Sequence, residues 1–448
     1  MPPALDEPAR RAPGPTGVRA LTAPLRFRRD PLAYFLDLAR HGPLVRTRAG
    51  PFVFHTAFAP ELVRAVLVEG ADVFLKRGVL DELVPVLGDG LLISEGERWR
   101  ARRLAAQPAF ARRAVEAFLP GMEAEARALV ERWRAELRAG AGVVDASQGA
   151  MELALAVVAR TLFGAELGAR AAALSRAVED VSRCAYARTN ALLRLPLAWP
   201  SATNRTYRRA IATLDESVRA LLAGGVPPEG IFARLAATRD PRTGQLLGPD
   251  DLRDEAMTLF LAGHETSAST LAWTLDHLAR ETELQERLRS EADAALGSGP
   301  APAALERLPW LDATVAEVLR LHPPAWLVVR RAAAPARLGG FAIPARSFVS
   351  IPVHALQRAP SAWPEPERFR PERFLGGAPT DPGLYLPFGA GPRRCLGEAF
   401  ARQELRVVVA RLLQAFRLEA VGPPPAPLPL ATLRPASPVR LRLASLGA

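Results

Sequence analysis

The sequence predicts a mainly α fold with a small β portion, on three observations. Apolar residues recur at three- and four-residue spacings over 123–138 and 151–163. Pro/Gly-rich stretches, at 224–230 and 240–250, are short loops and not long linkers. β-like runs are confined to 44–55, to 326–356 and to the tail at 439–443.

In chain order, residues 1–20 are expected to form a flexible leader and 21–448 a single domain. Apolar runs at 44–47 and 52–55 flank Ala49-Gly50-Pro51, the pattern of a hairpin. Helical patterns dominate from about 60 to 231. Residues 251–282 read as one long helix, with Asp250 or Asp251 able to cap its start. A helix over 311–321 must stop before Pro323-Pro324. Short β runs follow at 326–329 and 348–353, then an irregular, proline-punctuated stretch at 364–374. A last helix is expected after Cys395 to about 416, and 439–443 reads as a strand. There is no internal repeat.

Composition narrows the class. The chain has 448 residues, 49% of them apolar, enough for a large core. Formal net charge is +11, and Lys76 is the single lysine. The arginines alternate with Ala, Leu and Glu along helices. That is a solvated Arg-rich surface and not a nucleic-acid tail, or else a positive patch for an acidic protein partner. Two cysteines, Cys184 and Cys395, build neither a disulfide scaffold nor a structural zinc site and suit a reducing compartment. The N-terminus has no apolar signal-peptide core, and the apolar stretch 151–163 is broken by Glu152 and Arg160. A cytoplasmic protein without a transmembrane anchor is expected.

The chemistry concentrates around Cys395. In Phe388-Gly389-Ala390-Gly391-Pro392-Arg393-Arg394-Cys395-Leu396-Gly397, three glycines surround one cysteine just before a helix. Glycine allows sharp turns and close approach of a large planar group. The helix start and two arginines favour the thiolate, a soft donor suited to iron. A lone cysteine would be core filler, but this Gly/Arg/Cys/Gly spacing is far more specific. The segment resembles the haem-binding loop of the cytochromes P-450, Phe-x-x-Gly-x-Arg-x-Cys-x-Gly, at Phe388, Gly391, Arg393, Cys395 and Gly397. The resemblance implies the cytochrome P-450 fold, a single triangular helical domain enclosing haem b (iron protoporphyrin IX). It also implies Cys395 as axial ligand to the iron and Arg393 on a haem propionate.

Four further elements follow the family's order. Ala262-Gly263-His264-Glu265-Thr266-Ser267 is similar to its oxygen-activating groove. Ala262 and Gly263 are small enough for a flat ring and a gas molecule. Glu265 and Thr266 form an acid–alcohol pair able to relay protons. His264, at an unspecified position, is expected to be structural. Glu317-Val318-Leu319-Arg320, followed by His322-Pro323-Pro324, is similar to the family's Glu-x-x-Arg. Its implied partner is Arg373 in Phe369-Arg370-Pro371-Glu372-Arg373-Phe374, with Glu367/Arg368 a near-duplicate. Trp99 and Arg103, four apart on one helical face, match the Trp-x-x-x-Arg that serves the propionates. Arg330, or the adjacent Arg331, stands where a further propionate arginine is common.

The resemblance therefore implies a monooxygenase that inserts one oxygen atom from O2 into an apolar small molecule. Electrons would come from a separate ferredoxin or flavodoxin with its reductase, because no room remains for a fused one. Arg102, Arg112, Arg113 and Arg394 would face that partner. Substrate contacts are expected near 74–86, 181–193, 259–262, 325–327 and 431–432. A carotenoid, a terpenoid or a fatty acid fits such a lining, and 319–331 and 431–435 resemble carotenoid-hydroxylating members. A peroxide-driven peroxygenase and a non-catalytic haem protein are the alternatives. Glu265-Thr266 argues against the first.

Overall fold

The computed structural model describes residues 10–167, 170–191, 195–225, 230–297, 301–377, 381 and 383–446. Residues 1–9 of the expected leader, 192 and 193 of the expected pocket lining, and 226–229 of the loop at 224–230 lie outside them. The chain divides into two compact units, each assembled from three separated segments.

The first unit comprises Met1–Asp81, Ala325–Arg368 and Pro379–Cys395. Its longer helices are α1 (Gly17–Arg29) and α2 (Pro31–Leu38). Asp30 caps α2 by accepting from the Ala33 N–H at 2.9 Å. Its strands are β1 (Leu44–Ala49), β2 (Phe52–Ala57), β3 (Phe74–Leu75), β4 (Val328–Ala332), β5 (Ala336–Leu338), β6 (Phe341–Ile343) and β7 (Phe348–Ile351). Five of them form a sheet in the order β1-β2-β7-β4-β3, and β5 pairs with β6 separately. The expected hairpin is β1–β2, closed with Ala49 opposite Phe52.

The leader expected over 1–20 needs correction where it is described. The Arg46 N–H donates to the Pro13 carbonyl at 2.6 Å, and the Ala342 N–H to the Arg10 carbonyl at 2.9 Å. Ala12 is buried, and α1 begins at Gly17. The segment offers backbone partners to the open edges of β1 and β6, so it packs as part of the fold.

Strand alternation sorts the main sheet's faces. Leu44, Ala57, Phe74, Ala332, Val349 and Ile351 share one face and one core with Leu62, Val66, Leu67 and Leu386. Arg330, opposite Val349, belongs to that face. Arg331 takes the other, with its guanidinium 6.0 Å from the centre of the Phe348 ring.

The second unit comprises Glu82–Pro324, Phe369–Ala378 and Leu396–Ala448. Its longer helices are α3 (Gly96–Ala106), α4 (Leu119–Arg138), α5 (Ala146–Phe163), α6 (Ala171–Thr189), α7 (Ala202–Ala223), α8 (Pro249–Arg280), α9 (Thr282–Leu296), α10 (Pro309–Leu321) and α11 (Glu398–Ala415). Helix α8 is the long helix expected over 251–282. Pro249 opens it, and Asp251 accepts from the Gly248 N–H at 3.2 Å. From His264 to Ala279 almost every residue is buried, so no single stripe is apolar there. Helix α10 ends before the expected proline pair. Val144–Asp145, Arg440–Ser445 and Phe416–Ala420 form a three-stranded antiparallel sheet. A hairpin pairs Pro427–Pro429 with Leu433–Pro435. The Ser269 hydroxyl donates to the Leu433 carbonyl at 2.7 Å and ties that hairpin to α8. No helix among the described residues is long and apolar enough to cross a membrane.

Candidate active site

The cysteine loop hangs from the first unit's core. Leu386 is buried, and its N–H donates to the Oε1 of Gln357, also buried, at 2.8 Å. The chain then turns tightly, and the Cys395 N–H donates back to the Phe388 carbonyl at 2.8 Å. Gly391 has φ of +69°, and a Cβ there would stand 2.0 Å from the Leu67 carbonyl oxygen. Only glycine satisfies both the conformation and the contact. Arg393 closes a single 3-10 turn over Gly391–Arg393. The Cys395 thiol is exposed, whereas Cys184 is buried. Gly397 is the N-cap residue of α11. Gln357 was not foreseen, because a lone glutamine carries no spacing signal.

Helix α8 splits its motif among three directions, since successive residues turn by about 100°. Ala262 is exposed and Thr266 half-buried, one turn apart on the same face. The Thr266 hydroxyl donates to the Ala262 carbonyl at 2.8 Å. Thr270 and Thr274 bond back in the same way, a ladder that loosens the helix's own hydrogen bonding. Gly263 points elsewhere: a Cβ there would lie 2.9 Å from Val158 Cγ2, so its smallness admits α5. His264 is fully buried, with Nε2 2.9 Å from the Met151 carbonyl, and burial lowers its pKa to about 4.

Glu265 is buried as well. Its Oε1 accepts from the Thr432 hydroxyl at 2.7 Å and the Ser182 hydroxyl at 3.2 Å. Burial raises its pKa, and the Thr432 hydroxyl, the Arg434 charge and the Ser182 hydroxyl oppose that rise. The carboxyl and the Thr266 hydroxyl are neighbours in sequence but face different surroundings. Neither Ser182 nor Thr432 carried a sequence signal for this role.

Glu317, Arg320 and Arg373 are brought together. Arg320 and Glu317 are completely buried, paired through Nε at 2.7 Å and a terminal nitrogen at 2.8 Å. Arg373 Nε reaches the same carboxylate at 3.3 Å, and the Arg370 N–H at 2.8 Å. The near-duplicate is resolved too. Glu367 pairs with Arg358, and the exposed Arg368 with Glu365.

Trp99 and Arg103 are half-buried on α3. Their neighbours turn inward. Arg102 is 1% exposed and bonds Asp251 at 2.5 Å, Glu255 at 2.7 Å and the Asp89 carbonyl at 2.8 Å. Arg98 pairs with Asp89, Asp251 and Asp240. Burial pushes the pKa of Glu255 up to about 7 against the pull of Arg102. Arg102 is therefore no part of a partner-facing surface, because this carboxylate cluster consumes it. Arg112 is exposed but paired with Glu116 and Glu306, while Arg113 and Arg394 are exposed.

The comparisons agree with one another. The sequence matches the Cytochrome P450 family model over residues 14–443. It is 35% identical to cyclooctat-9-en-7-ol 5-monooxygenase of Streptomyces melanosporofaciens, over 91% of this chain and 89% of the relative. It is 31% identical to pentalenene oxygenase of Streptomyces avermitilis, over 93% and 92%. The solved structure of CYP175A1 from Thermus thermophilus superposes with TM-score 0.79 at 29% identity, covering 96% of this chain and 99% of that one. Family model, relatives and solved structure each cover most of the chain, and the chain belongs to the cytochrome P-450 family of monooxygenases.

Proposed function

We propose that this protein is a haem b monooxygenase acting on a terpenoid, with Cys395 as the axial thiolate. The observation that carries the reading is the exposed Cys395 thiol on a loop fixed by Gly391 against Leu67. Such a loop presents sulfur just after a turn opened by a residue without a side chain, which fits the close approach of a flat macrocycle. The haem, when bound, supplies the activation of O2. Arg393, Arg330, Trp99 and Arg103 are the residues that would hold its propionates. Arg330 is preferred to Arg331 because it lies on the sheet face shared with Leu386, whereas Arg331 is engaged with Phe348 and Gly78.

The proton path belongs to α8. The Thr266 hydroxyl holds its proton on the Ala262 carbonyl and could turn it instead toward a molecule bound against that face of α8. Glu265, raised by burial yet steadied by Thr432 and Ser182, holds or releases a proton nearer neutral pH than a surface carboxylate does. Glu317, Arg320 and Arg373 keep α10 and the segment after Phe369 in fixed register. Phe388 and Gly397 bracket the cysteine. Gly263 acts by admitting α5.

On this reading residues 21–448 work as one haem-binding domain. A terpenoid is favoured over a carotenoid or a fatty acid because two of the relatives are named for cyclooctatenol and pentalenene skeletons. Electrons come from a separate acidic ferredoxin or flavodoxin in the cytoplasm.

The test is the carbon-monoxide difference spectrum of the reduced, haem-loaded protein. A red-shifted Soret band that Cys395→Ser abolishes is expected, and an unshifted band in the parent protein defeats the assignment. A spin-state titration with cyclic terpenes, carotenoids and fatty acids then tests the substrate class.

A further inference from the structure

Helix α1 has an apolar face on which nothing packs among the described residues. Its inner face is ordinary: Ala23 is buried, and Phe27 meets Tyr34 and Phe35 edge-on at 5.8 and 5.9 Å. On the opposite side Val18, Leu21 and Leu25 are 73%, 81% and 67% exposed. Their i, i+3, i+7 spacing sets them in one narrow stripe. Among the described residues only Leu104, at 69%, is comparably exposed for its size. Single exposed aliphatics need no explanation, but three aligned on a helix of 13 residues do.

The charge around the stripe is one-sided. Helix α1 carries Arg19, Arg26, Arg28 and Arg29 and no carboxylate. At about 100° per residue, Arg28 and Arg29 fall on either flank of the apolar arc. Arg26 lies off it and pairs with Asp37 at 2.7 Å. Arg10 and Arg11, just before the helix, are also exposed.

We propose that α1 lies in the headgroup layer of an anionic lipid bilayer, with Val18, Leu21 and Leu25 in the acyl boundary and its arginines on lipid phosphates. An apolar stripe bordered by cations and free of carboxylates matches a negatively charged apolar surface. A second copy of the chain would bring the same arginines against themselves, so self-pairing along this stripe is repelled. Peripheral attachment sets the enzyme where apolar molecules partition. The attachment stands on α1 alone, whatever the substrate proves to be.

The experiment is cosedimentation of the holoprotein with vesicles of phosphatidylcholine alone and of phosphatidylcholine mixed with phosphatidylglycerol. Binding to the mixed vesicles that weakens with salt is expected, with little to the neutral ones. Leu21→Asp/Leu25→Asp should weaken it roughly tenfold or more. Arg19→Ser/Arg29→Ser should weaken it by on the order of fivefold per arginine. Both variants change exposed side chains, so circular dichroism and haem content serve as folding controls. No binding of the unsubstituted protein to the mixed vesicles, or binding that Leu21→Asp/Leu25→Asp leaves intact, overturns the proposal. A dimer in analytical ultracentrifugation that the same aspartates dissociate would assign the stripe to a second copy and overturn it as well.

Discussion

Glu404 is a carboxylic acid enclosed on every side. It sits on α11 against Ser267 of α8, and burial pushes its pKa up to about 8 against the pull of the Ser267 hydroxyl. Below about 4.5 the folded and unfolded states both hold the proton. Between there and about 8 only the folded state keeps it, so stability falls as pH rises, on the order of 1 kcal/mol per pH unit. Above about 8 the loss levels off. Glu404→Gln removes this dependence, so its thermal midpoint should gain on the parent's as pH is raised from 5 to 8. A constant difference across that window would refute a protonated Glu404. Glu265 gives a second residue-scale expectation. Thr432→Val removes a hydroxyl that favours the charged carboxyl, so any activity limb belonging to Glu265 should move to higher pH. An unmoved profile of product formation against pH would take Glu265 out of the proton path. At this scale the sequence is legible only where residues are spaced in motifs. Cys395, Thr266 and Glu317 stand in such patterns. Glu404, Gln357, Ser182 and Thr432 do not, since their partners lie far along the chain and only folding brings them close.

At the scale of elements, spacing and breakers carried most of the information. The β1–β2 hairpin, α8, the proline stop of α10 and helix α11 all follow from periodicity, Pro and Gly. What periodicity cannot reveal is which neighbour an element meets. Ala262 and Gly263 look interchangeable in sequence, yet Ala262 is exposed and Gly263 is pressed on Val158. The hairpin carrying Thr432 escaped notice because prolines dominate its strands. Gly263→Ala should cost about 1–3 kcal/mol in urea unfolding through overpacking between α5 and α8. Ala262→Gly should cost only about 1 kcal/mol through helix propensity. Equal losses would contradict the two directions described. The Glu317 site behaves differently, because it holds charge in a dry interior. Arg373→Ala strips one partner from a buried carboxylate and should destabilise by roughly 3–5 kcal/mol, well beyond a surface pair. Arg368→Ala, removing an exposed partner of Glu365, should change stability by less than about 1 kcal/mol. Chemical denaturation of the two variants separates the near-duplicates.

At the scale of the whole molecule the question is what a net charge of +11 does. Sequence alone shows the excess but not its distribution, since pairing is decided by the fold. Pairing leaves the excess unchanged but decides which arginines carry it: Arg98 and Arg102 sit in a carboxylate cluster, Arg320 and Arg373 on Glu317, and Arg406 on Asp312. The surface open to an acidic electron carrier is set by the arginines outside such pairs, and adjacent arginines are unequal. Arg112 already faces Glu116 and Glu306, so its field at a distance is largely cancelled. Arg113 is exposed on the same short helix, Arg112–Glu116, and is the better candidate to steer a partner. Charge reversal on this helix tests its use. Arg113→Glu should slow reduction by an acidic ferredoxin by about tenfold at low salt, and the deficit should shrink as salt screens it. Arg112→Glu changes the charge by the same two units and also frees Glu116 and Glu306, so at low salt it should slow reduction at least as much. Stopped-flow reduction rates across a salt series measure both. No effect at either position, or a deficit indifferent to salt, would show that electron delivery does not use this helix.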